Sequence, residues 1–207
     1  MIKNVIFDIG NVLVDFRWRD LMETLGIGKE EQIIFEHSVF GSKWWKELDH
    51  GIMDEQEALD NIRKDNEKYL EAFNLVWEHF DELVEPFEYA LPWIEKLKAE
   101  GYQVYLLSNY PKTLFETHEK KGKFPFIDVV DGKVVSAFVK MVKPNADIYQ
   151  CLMDTYQLKA GECVFIDDRP ENIEGAKALG MQGIVFYNYE QACKELEQMK
   201  TCAVERA

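Results

Sequence analysis

The chain has 207 residues, a formal net charge of −14 at pH 7, and hydrophobic and aromatic contents of 47% and 13%. This length suits one domain, or one domain with a sizeable insertion, and the apolar content is enough for a packed core. The 38 acidic residues against 24 basic ones argue against nucleic acid or an anionic membrane surface as a partner, because both are bound through clustered Lys and Arg.

The N-terminus does not resemble a signal peptide, because its first apolar run is short and ends at Asp8. No apolar stretch approaches the ~20 residues that span a bilayer. The cysteines have no C-x-x-C spacing, which is typical of a reducing compartment rather than of a disulfide or zinc framework. They are Cys151, Cys163, Cys193 and Cys202. We expect a cytoplasmic protein without a membrane partner.

The first predicted element is a buried strand over residues 5–7, which ends at Asp8 and is followed by Gly10 and Asn11. Residues 16–84 contain no predicted strand. Their composition favours helix, and from Leu59 the apolar residues recur three or four positions apart. Four or five helices are predicted there, over 18–25, 29–38 and 42–49, then one long helix or two between residues 52 and 86.

Beyond Pro86, predicted strands alternate with predicted helices. The helices are 87–100, 111–120, 143–156, 170–179 and 190–200, and the strands are 102–107, 164–166 and 183–186. Asp131 and Gly132 form a turn signal that predicts a hairpin, with a short strand over residues 126–130. The alternation predicts an α/β fold with a parallel sheet, interrupted once by the helical block.

Polar side chains directly follow three of the predicted strands. They are Asp8, Ser108 with Asn109, and Asp167 with Asp168. The carboxyl ends of parallel strands meet at one edge of the sheet, where ligands bind, so these side chains are expected to share a pocket. Lys143 precedes Pro144 at the start of a predicted helix, which directs it towards the same rim.

This combination is coherent for phosphoryl transfer. Carboxylates crowded at one edge repel each other, and a hard cation such as Mg²⁺ relieves that repulsion and binds a phosphoryl oxygen. A carboxylate in line with phosphorus can form an aspartyl-phosphate, while Lys143 and Ser108 stabilise charge on the other oxygens. Each residue has a plain alternative: Ser108 as a strand-end cap, Lys143 as a solvated lysine, and Asp167 and Asp168 as helix caps. Their joint occurrence favours function.

Four segments resemble the ordered motifs of the haloacid dehalogenase superfamily. They are Asp8 within Phe-Asp-Ile-Gly-Asn-Val-Leu-Val-Asp, Leu106-Leu107-Ser108-Asn109, Val142-Lys143-Pro144 and Phe165-Ile166-Asp167-Asp168. The resemblance spans nearly the whole chain. It implies a Rossmann-like parallel sheet flanked by helices, formed by residues 1–15 and 85–207, with residues 16–84 as an inserted all-helical cap of type 1.

The resemblance also implies roles for the residues that match the motifs. Asp8 would be the nucleophile, and Ser108, Asn109 and Lys143 would bind the substrate phosphate. Mg²⁺ would be held by Asp8, by the backbone carbonyl of Gly10 and by Asp168, with Asp167 among the ligands or just behind them. The expected partner is a small phosphate ester, and the expected assembly is a monomer or a weak homodimer.

One position departs from the family's pattern. Phosphatases of this superfamily usually carry a second Asp, a general acid and base, where this chain has Gly10. General acid–base help is typically worth ~10²–10⁴ in rate, so it must come from elsewhere or be weak. Asp15 is near in sequence, but no geometric reason assigns it the role. The Asp-x-Gly-Asn-Val variant and residues 48–55 resemble a bacterial branch that includes α-D-glucose-1-phosphate phosphatase, which makes a sugar phosphate the leading substrate class.

Two alternatives remain open. A 2-haloacid dehalogenase would use Asp8 to attack carbon without a metal, but the Asp167–Asp168 pair is costly without a cation. A catalytically weak homologue would bind a phosphometabolite or a protein; Gly10 favours it, and retention of the nucleophile speaks against it. In the helical block, Trp44 and Trp45 suit stacking on a sugar, or burial in a local core. Further candidates there are Lys43, Lys46, Arg17, Arg19 and His50.

Overall fold

The computed structural model describes residues 1–204, which form seven strands and eleven α-helices. The strands are β1 Asn4–Phe7, β2 Val14–Phe16, β3 Val84–Pro86, β4 Gln103–Ser108, β5 Gly132–Val135, β6 Cys163–Asp167 and β7 Gln182–Val185. The helices are α1 Trp18–Thr24, α2 Lys29–Phe35, α3 Lys43–His50, α4 Glu55–Asp65, α5 Leu70–Glu78, α6 Ala90–Ala99, α7 Lys112–Lys120, α8 Ser136–Val139, α9 Ala146–Tyr156, α10 Pro170–Ala178 and α11 Tyr189–Val204.

Five strands form one parallel sheet in the order β5-β4-β1-β6-β7. The central strand β1 is buried on both faces: Val5 and Phe7 contact one apolar cluster, and Ile6 contacts the other. Helices α6 and α11 contribute to the first cluster, and α9 and α10 contribute to the second. A continuous apolar strand is what a parallel sheet covered on both sides requires. The predicted α/β class and Rossmann-like sheet are therefore confirmed.

Helices α1 to α5 lie between β2 and β3, where the sequence predicted a helical block. The prediction that residues 16–84 contain no strand is wrong at its ends, because β2 and β3 pair antiparallel as a two-stranded ribbon. Each of these strands has only three residues, too few for a periodic signal. Between residues 52 and 86 two helices form rather than one. The Asn66 side chain donates to the carbonyl of Ile62 at 2.8 Å and ends α4.

The predicted hairpin around residue 132 and the strand over residues 126–130 are wrong. Residues 126–130 form turns, and β5 pairs parallel with β4 instead of folding back. The Asp131 carboxylate accepts a hydrogen bond from the Val104 amide at 2.7 Å, which fixes the entry to β5. A Cβ at Gly132 would lie 2.2 Å from the Tyr156 ring. Glycine is therefore required at this position by a close approach and not by a tight turn.

The remaining predicted helices and strands are present with ends shifted by a few residues. Cys151, Cys163 and Cys193 are free thiols, and the side chain of Cys202 and residues 205–207 of the predicted core lie outside the described part. A search of the described helices finds none with the length and apolar character needed to cross a bilayer.

Candidate active site

Neighbouring strand ends bring the predicted site residues together. β1 lies between β4 and β6, so Asp8, Ser108 and Asp167 stand side by side at the carboxyl edge of the sheet. Lys143 reaches the same edge from the loop before α9. These four side chains are buried. A cavity of about 220 Å³ opens above them and is lined by Asp8, Gly10, Ser108, Asn109, Lys143 and Asp168, among others.

The Lys143 ammonium lies between two carboxylates. Its Nζ is 2.9 Å from Asp8 Oδ1 and donates a hydrogen bond to Asp167 Oδ2 at 2.7 Å. Burial opposes the positive charge, but attraction to Asp8 and Asp167 outweighs it, so the pKa of Lys143 is raised above its ordinary value. Lys143 therefore stays charged and supplies a fixed cation at the sheet edge. A solvated surface lysine, the plain alternative, does not describe this residue.

Asn109 holds the backbone of Lys143 through a reciprocal pair of hydrogen bonds. The Lys143 amide donates to Asn109 Oδ1 at 2.9 Å, and Asn109 Nδ2 donates to the Lys143 carbonyl at 3.0 Å. The loop after β4 thus positions the loop before α9. One hydrogen of Asn109 Nδ2 remains for another acceptor, because an amide nitrogen carries two.

Asp167 is held by its own partners and does not line the cavity. Its carboxylate accepts hydrogen bonds from the Arg169 amide at 2.8 Å, from Asn172 Nδ2 at 3.0 Å to each oxygen, and from Lys143. A fully buried carboxylate is stable only when it is paired and hydrogen-bonded in this way. Asp167 orients Lys143 and fixes the start of α10.

The carboxylates of Asp8, Asp167 and Asp168 form a cluster that could hold a metal ion. One oxygen from each lies within 4.8 Å of the others. Asp8 Oδ1 is buried, and its one close polar neighbour among the described residues is the Lys143 ammonium, 2.9 Å away in an ion pair. Burial raises the pKa of Asp8 and of Asp168, and the neighbouring carboxylates add to this effect. Crowded carboxylates fit a hard divalent cation.

Two residues that hydrogen-bond to the carboxylate cluster, Asn11 and Asn172, were not predicted from the sequence. Asn11 donates to Asp168 Oδ2 at 3.0 Å from a left-handed backbone conformation, which Asn tolerates. The position of Asn11 directly after Gly10, in the turn that follows β1, could have indicated that it lies at the site. Asn172 carried no signal of its own, because a polar residue in the first turns of a helix is ordinary. Its contact with Asp167 arises only from the fold.

Helix α3 of the helical block contributes two side chains to the cavity. Trp45 lines it and is buried against Phe40 and Phe80, as the local-core interpretation expects, while stacking on a sugar stays a prediction. Asp49 lines it as well and was not predicted. Trp44 donates to Asp65 instead. The other candidates of the block do not line the cavity: Lys43, Lys46, Arg17, Arg19 and His50.

Comparison with known proteins agrees with this arrangement. Residues 2–180 match the model of the haloacid dehalogenase-like hydrolases. A D-ribitol-5-phosphate phosphatase of Bacteroides thetaiotaomicron is 26% identical over 88% of this chain and 90% of its own. A sesquiterpene phosphatase of Aspergillus oryzae is 25% identical over 97% of both chains.

A solved structure of this family has a similar fold. A haloacid dehalogenase family enzyme of Bacteroides thetaiotaomicron, in complex with magnesium and inorganic phosphate, superposes with a TM-score of 0.66 at 26% identity, covering 89% of this chain and 93% of that one. The family match extends over most of the chain and includes all four segments that form the cavity edge. This protein is therefore an enzyme of the haloacid dehalogenase-like hydrolase family.

Proposed function

We propose that the protein is a Mg²⁺-dependent phosphatase that hydrolyses a small phosphomonoester through an aspartyl-phosphate at Asp8. The observation that carries the proposal is the shared cavity edge of Asp8, Ser108, Lys143 and Asp168. It combines a carboxylate nucleophile, a hydroxyl donor, a buried ammonium and a second carboxylate. Phosphoryl transfer needs little more than such positioning and charge neutralisation.

Mg²⁺ would be held by Asp8, the Gly10 carbonyl and Asp168. Asp167 would stand behind these ligands, because its oxygens already accept hydrogen bonds from Lys143, Arg169 and Asn172. When bound, the cation neutralises carboxylate charge and polarises a phosphoryl oxygen. The magnesium complexes of related enzymes support this choice of ion.

The chain's own residues account for the two chemical steps. A carboxylate oxygen of Asp8 attacks phosphorus, the bond from phosphorus to the leaving oxygen breaks, and that oxygen takes up a proton. Water then attacks phosphorus, the bond to Asp8 breaks, and inorganic phosphate leaves. Lys143 and Ser108 donate hydrogen bonds to the phosphoryl oxygens throughout, and the second Nδ2 hydrogen of Asn109 adds a third.

A sugar phosphate is the substrate class that we propose. The cavity of about 220 Å³ is smaller than the pockets that bind drug-sized ligands, and it suits a small substrate such as a sugar phosphate. Both the D-ribitol-5-phosphate phosphatase and the sesquiterpene phosphatase are phosphatases by name, which supports the reaction class and leaves the identity of the alcohol to experiment. Trp45, on the cavity wall, supplies an apolar face for a sugar ring.

We further propose that residues 16–84 act as a cap on the core formed by residues 1–15 and 85–207. The helices of this block lie between β2 and β3, and the cavity lining includes Phe16, Trp45, Asp49 and Leu83 from it. A cover that supplies part of the wall can exclude water from the reacting phosphorus. It would also select the leaving group.

The dehalogenase alternative is weaker on electrostatic grounds. Attack on carbon needs no cation, yet the carboxylates of Asp8, Asp167 and Asp168 would then remain crowded. Lys143 pairs with the first two, and Lys143 and Arg169 act on Asp168. Two dehalogenase structures resemble this chain at about 20% identity, which concerns the fold alone.

The test is phosphate release from a panel of sugar phosphates and p-nitrophenyl phosphate, with Mg²⁺ or with EDTA, for the wild type and Asp8→Asn. We expect turnover that requires Mg²⁺ and is lost in the variant. Release of phosphate at equal rates by wild type and Asp8→Asn would overturn the proposal, as would chloride release from a 2-haloacid in EDTA.

A further inference from the structure

Asp49 brings a carboxylate to the cavity from the helical block. It lies near the carboxyl end of α3, which docks on α8 of the sheet-containing part. The Ser136 hydroxyl donates to the Asp49 carbonyl and accepts from the Tyr110 amide at 2.9 Å. His50 Nε2 bonds the Lys140 carbonyl at 3.1 Å. These contacts fix the Asp49 backbone relative to the loop that carries Ser108 and Asn109.

The docking also requires a glycine directly after this pair. Gly51 ends α3 with φ +67°, and a Cβ there would lie 2.2 Å from the Ala137 carbonyl oxygen. Only glycine allows α3 to approach α8 so closely. The position of Asp49 is thus set by backbone packing, and its side chain is free for another task. No described residue donates a hydrogen bond to its carboxylate.

Other cavity groups that could transfer a proton are already occupied. His118 Nε2 donates to the Phe80 carbonyl at 2.8 Å, so its Nδ1 must accept from the Tyr110 hydroxyl at 2.7 Å. Neither ring atom of His118 nor the Tyr110 proton faces a substrate. The Arg169 guanidinium pairs with Glu171 and is too basic to release a proton. Asp15 does not line the cavity.

We propose that Asp49 is the general acid and base that position 10 lacks. Asp49 donates a proton to the leaving oxygen as Asp8 attacks phosphorus. The Asp49 carboxylate then removes a proton from the water that cleaves the aspartyl-phosphate, and the cycle closes with Asp49 protonated again. This inference rests on the proposed phosphatase function. In-line displacement places the leaving oxygen on the side of phosphorus away from Asp8, and Asp49 enters from the block that covers that edge.

The surroundings of Asp49 suit both roles. Burial raises its pKa to about 7, while Arg169 and Lys143 lower it and Asp8 raises it further. The charge of Asp49 in turn raises the pKa of the Tyr110 hydroxyl. A carboxylic acid near neutrality can donate and accept a proton at the pH of the cell, which is the optimum for general acid–base catalysis.

The experiment compares wild type, Asp49→Asn and the control Glu47→Gln in Mg²⁺. Glu47 is on the same helix but does not line the cavity. The control therefore removes one negative charge from α3 without changing the cavity wall. The substrates are ribitol 5-phosphate, whose alkoxide needs a proton, and 2,4-dinitrophenyl phosphate, whose phenolate does not. Rapid mixing follows dinitrophenolate release before and after the first turnover.

We expect Asp49→Asn to release about one equivalent of dinitrophenolate in a burst at the wild-type rate and then to turn over ~10²–10⁴ times more slowly, because water is no longer deprotonated. Its kcat on ribitol 5-phosphate should fall by a similar factor without a burst. Glu47→Gln should match wild type, and Mg²⁺ affinity by calorimetry should be unchanged in both variants.

The outcomes separate the two proposals. If wild type cleaves neither ester in Mg²⁺, the phosphatase function itself fails, and the role of Asp49 fails with it. If wild type is active and Asp49→Asn keeps its steady-state kcat within a few-fold on the aryl ester, Asp49 is not the base. Equal loss of the burst and the steady state would assign Asp49 a structural role instead, and would also overturn the inference.

Discussion

Replacing the nucleophile should make the metal-free protein more stable. Burial raises the pKa of Asp8 from 3.8 to about 6, with Asp167 and Asp168 adding to the effect and Lys143 opposing it. Each tenfold change in proton affinity is worth about 1.4 kcal/mol, so the ionised carboxylate costs the folded state about 3 kcal/mol. Asp8→Asn keeps the shape and removes the charge. We therefore expect an increase of up to about 3 kcal/mol in unfolding free energy at pH 8.

The gain should depend on pH in a defined direction. The folded state holds the Asp8 proton more tightly than the unfolded chain, so wild type recovers stability as the pH falls through the folded pKa. The advantage of Asp8→Asn should be full above about pH 7, about half as large at pH 5, about a fifth as large at pH 4, and absent below about pH 3. Urea unfolding in EDTA measures it, with exposed Asp128→Asn as the control, which should stay within about 0.5 kcal/mol of wild type.

Added Mg²⁺ tests whether the charge of Asp8 causes this difference in stability. Wild type should gain stability with added Mg²⁺ by mass action, and Asp8→Asn should gain less because it loses a ligand. The reasoning is refuted if the variant is no more stable than wild type at pH 8 in EDTA. It is equally refuted if the gain is the same at pH 8 and pH 5, because the charge of Asp8 would then not be its origin.

Three further outcomes follow from the same contacts. Lys143→Met leaves buried carboxylates unpaired and should cost about 3–5 kcal/mol in EDTA, with part regained at acidic pH as they protonate; unchanged urea midpoints would contradict this. Gly132→Ala places a methyl group against the Tyr156 ring and should lower unfolding free energy by about 1–3 kcal/mol, measured by the same method. Gly10→Asp in the Asp49→Asn background should restore turnover of alkyl phosphates at least tenfold, because it supplies a second carboxylate near the leaving oxygen. The site has room for it, since a Cβ at position 10 meets no atom within 4 Å. A double variant as slow as Asp49→Asn would show that the two carboxylates are not interchangeable.

The sheet edge was predictable from sequence because its signals are local. Asp8, Ser108 and Asp167 each end a run of apolar residues, and such runs identify buried strands directly. Parallel pairing then brings their ends together without knowledge of any side-chain contact. Lys143 was found because Pro144 marks the beginning of the next helical region.

Features that depend on long-range packing were not predictable in this way. Asp49 occupies an ordinary helical position, and only the docking of α3 on α8 carries it to the cavity. The ribbon of β2 and β3 joins residues about 70 positions apart. At Gly132 the local turn signal predicted a hairpin, but the strand pairs parallel with β4 and the glycine is required by the close approach of Tyr156. Tertiary contacts decided each of these cases.

Direct identification of the phosphorylated residue tests the central claim. Wild-type enzyme mixed with 2,4-dinitrophenyl phosphate in Mg²⁺ is quenched with acid during the first turnover and reduced with borohydride, which converts an aspartyl-phosphate into homoserine. Peptide mass spectrometry then reads the residue at position 8. The account predicts homoserine at Asp8 in wild type and none in Asp8→Asn. Homoserine at another aspartate, or turnover with no reducible intermediate in rapidly quenched samples, would contradict it.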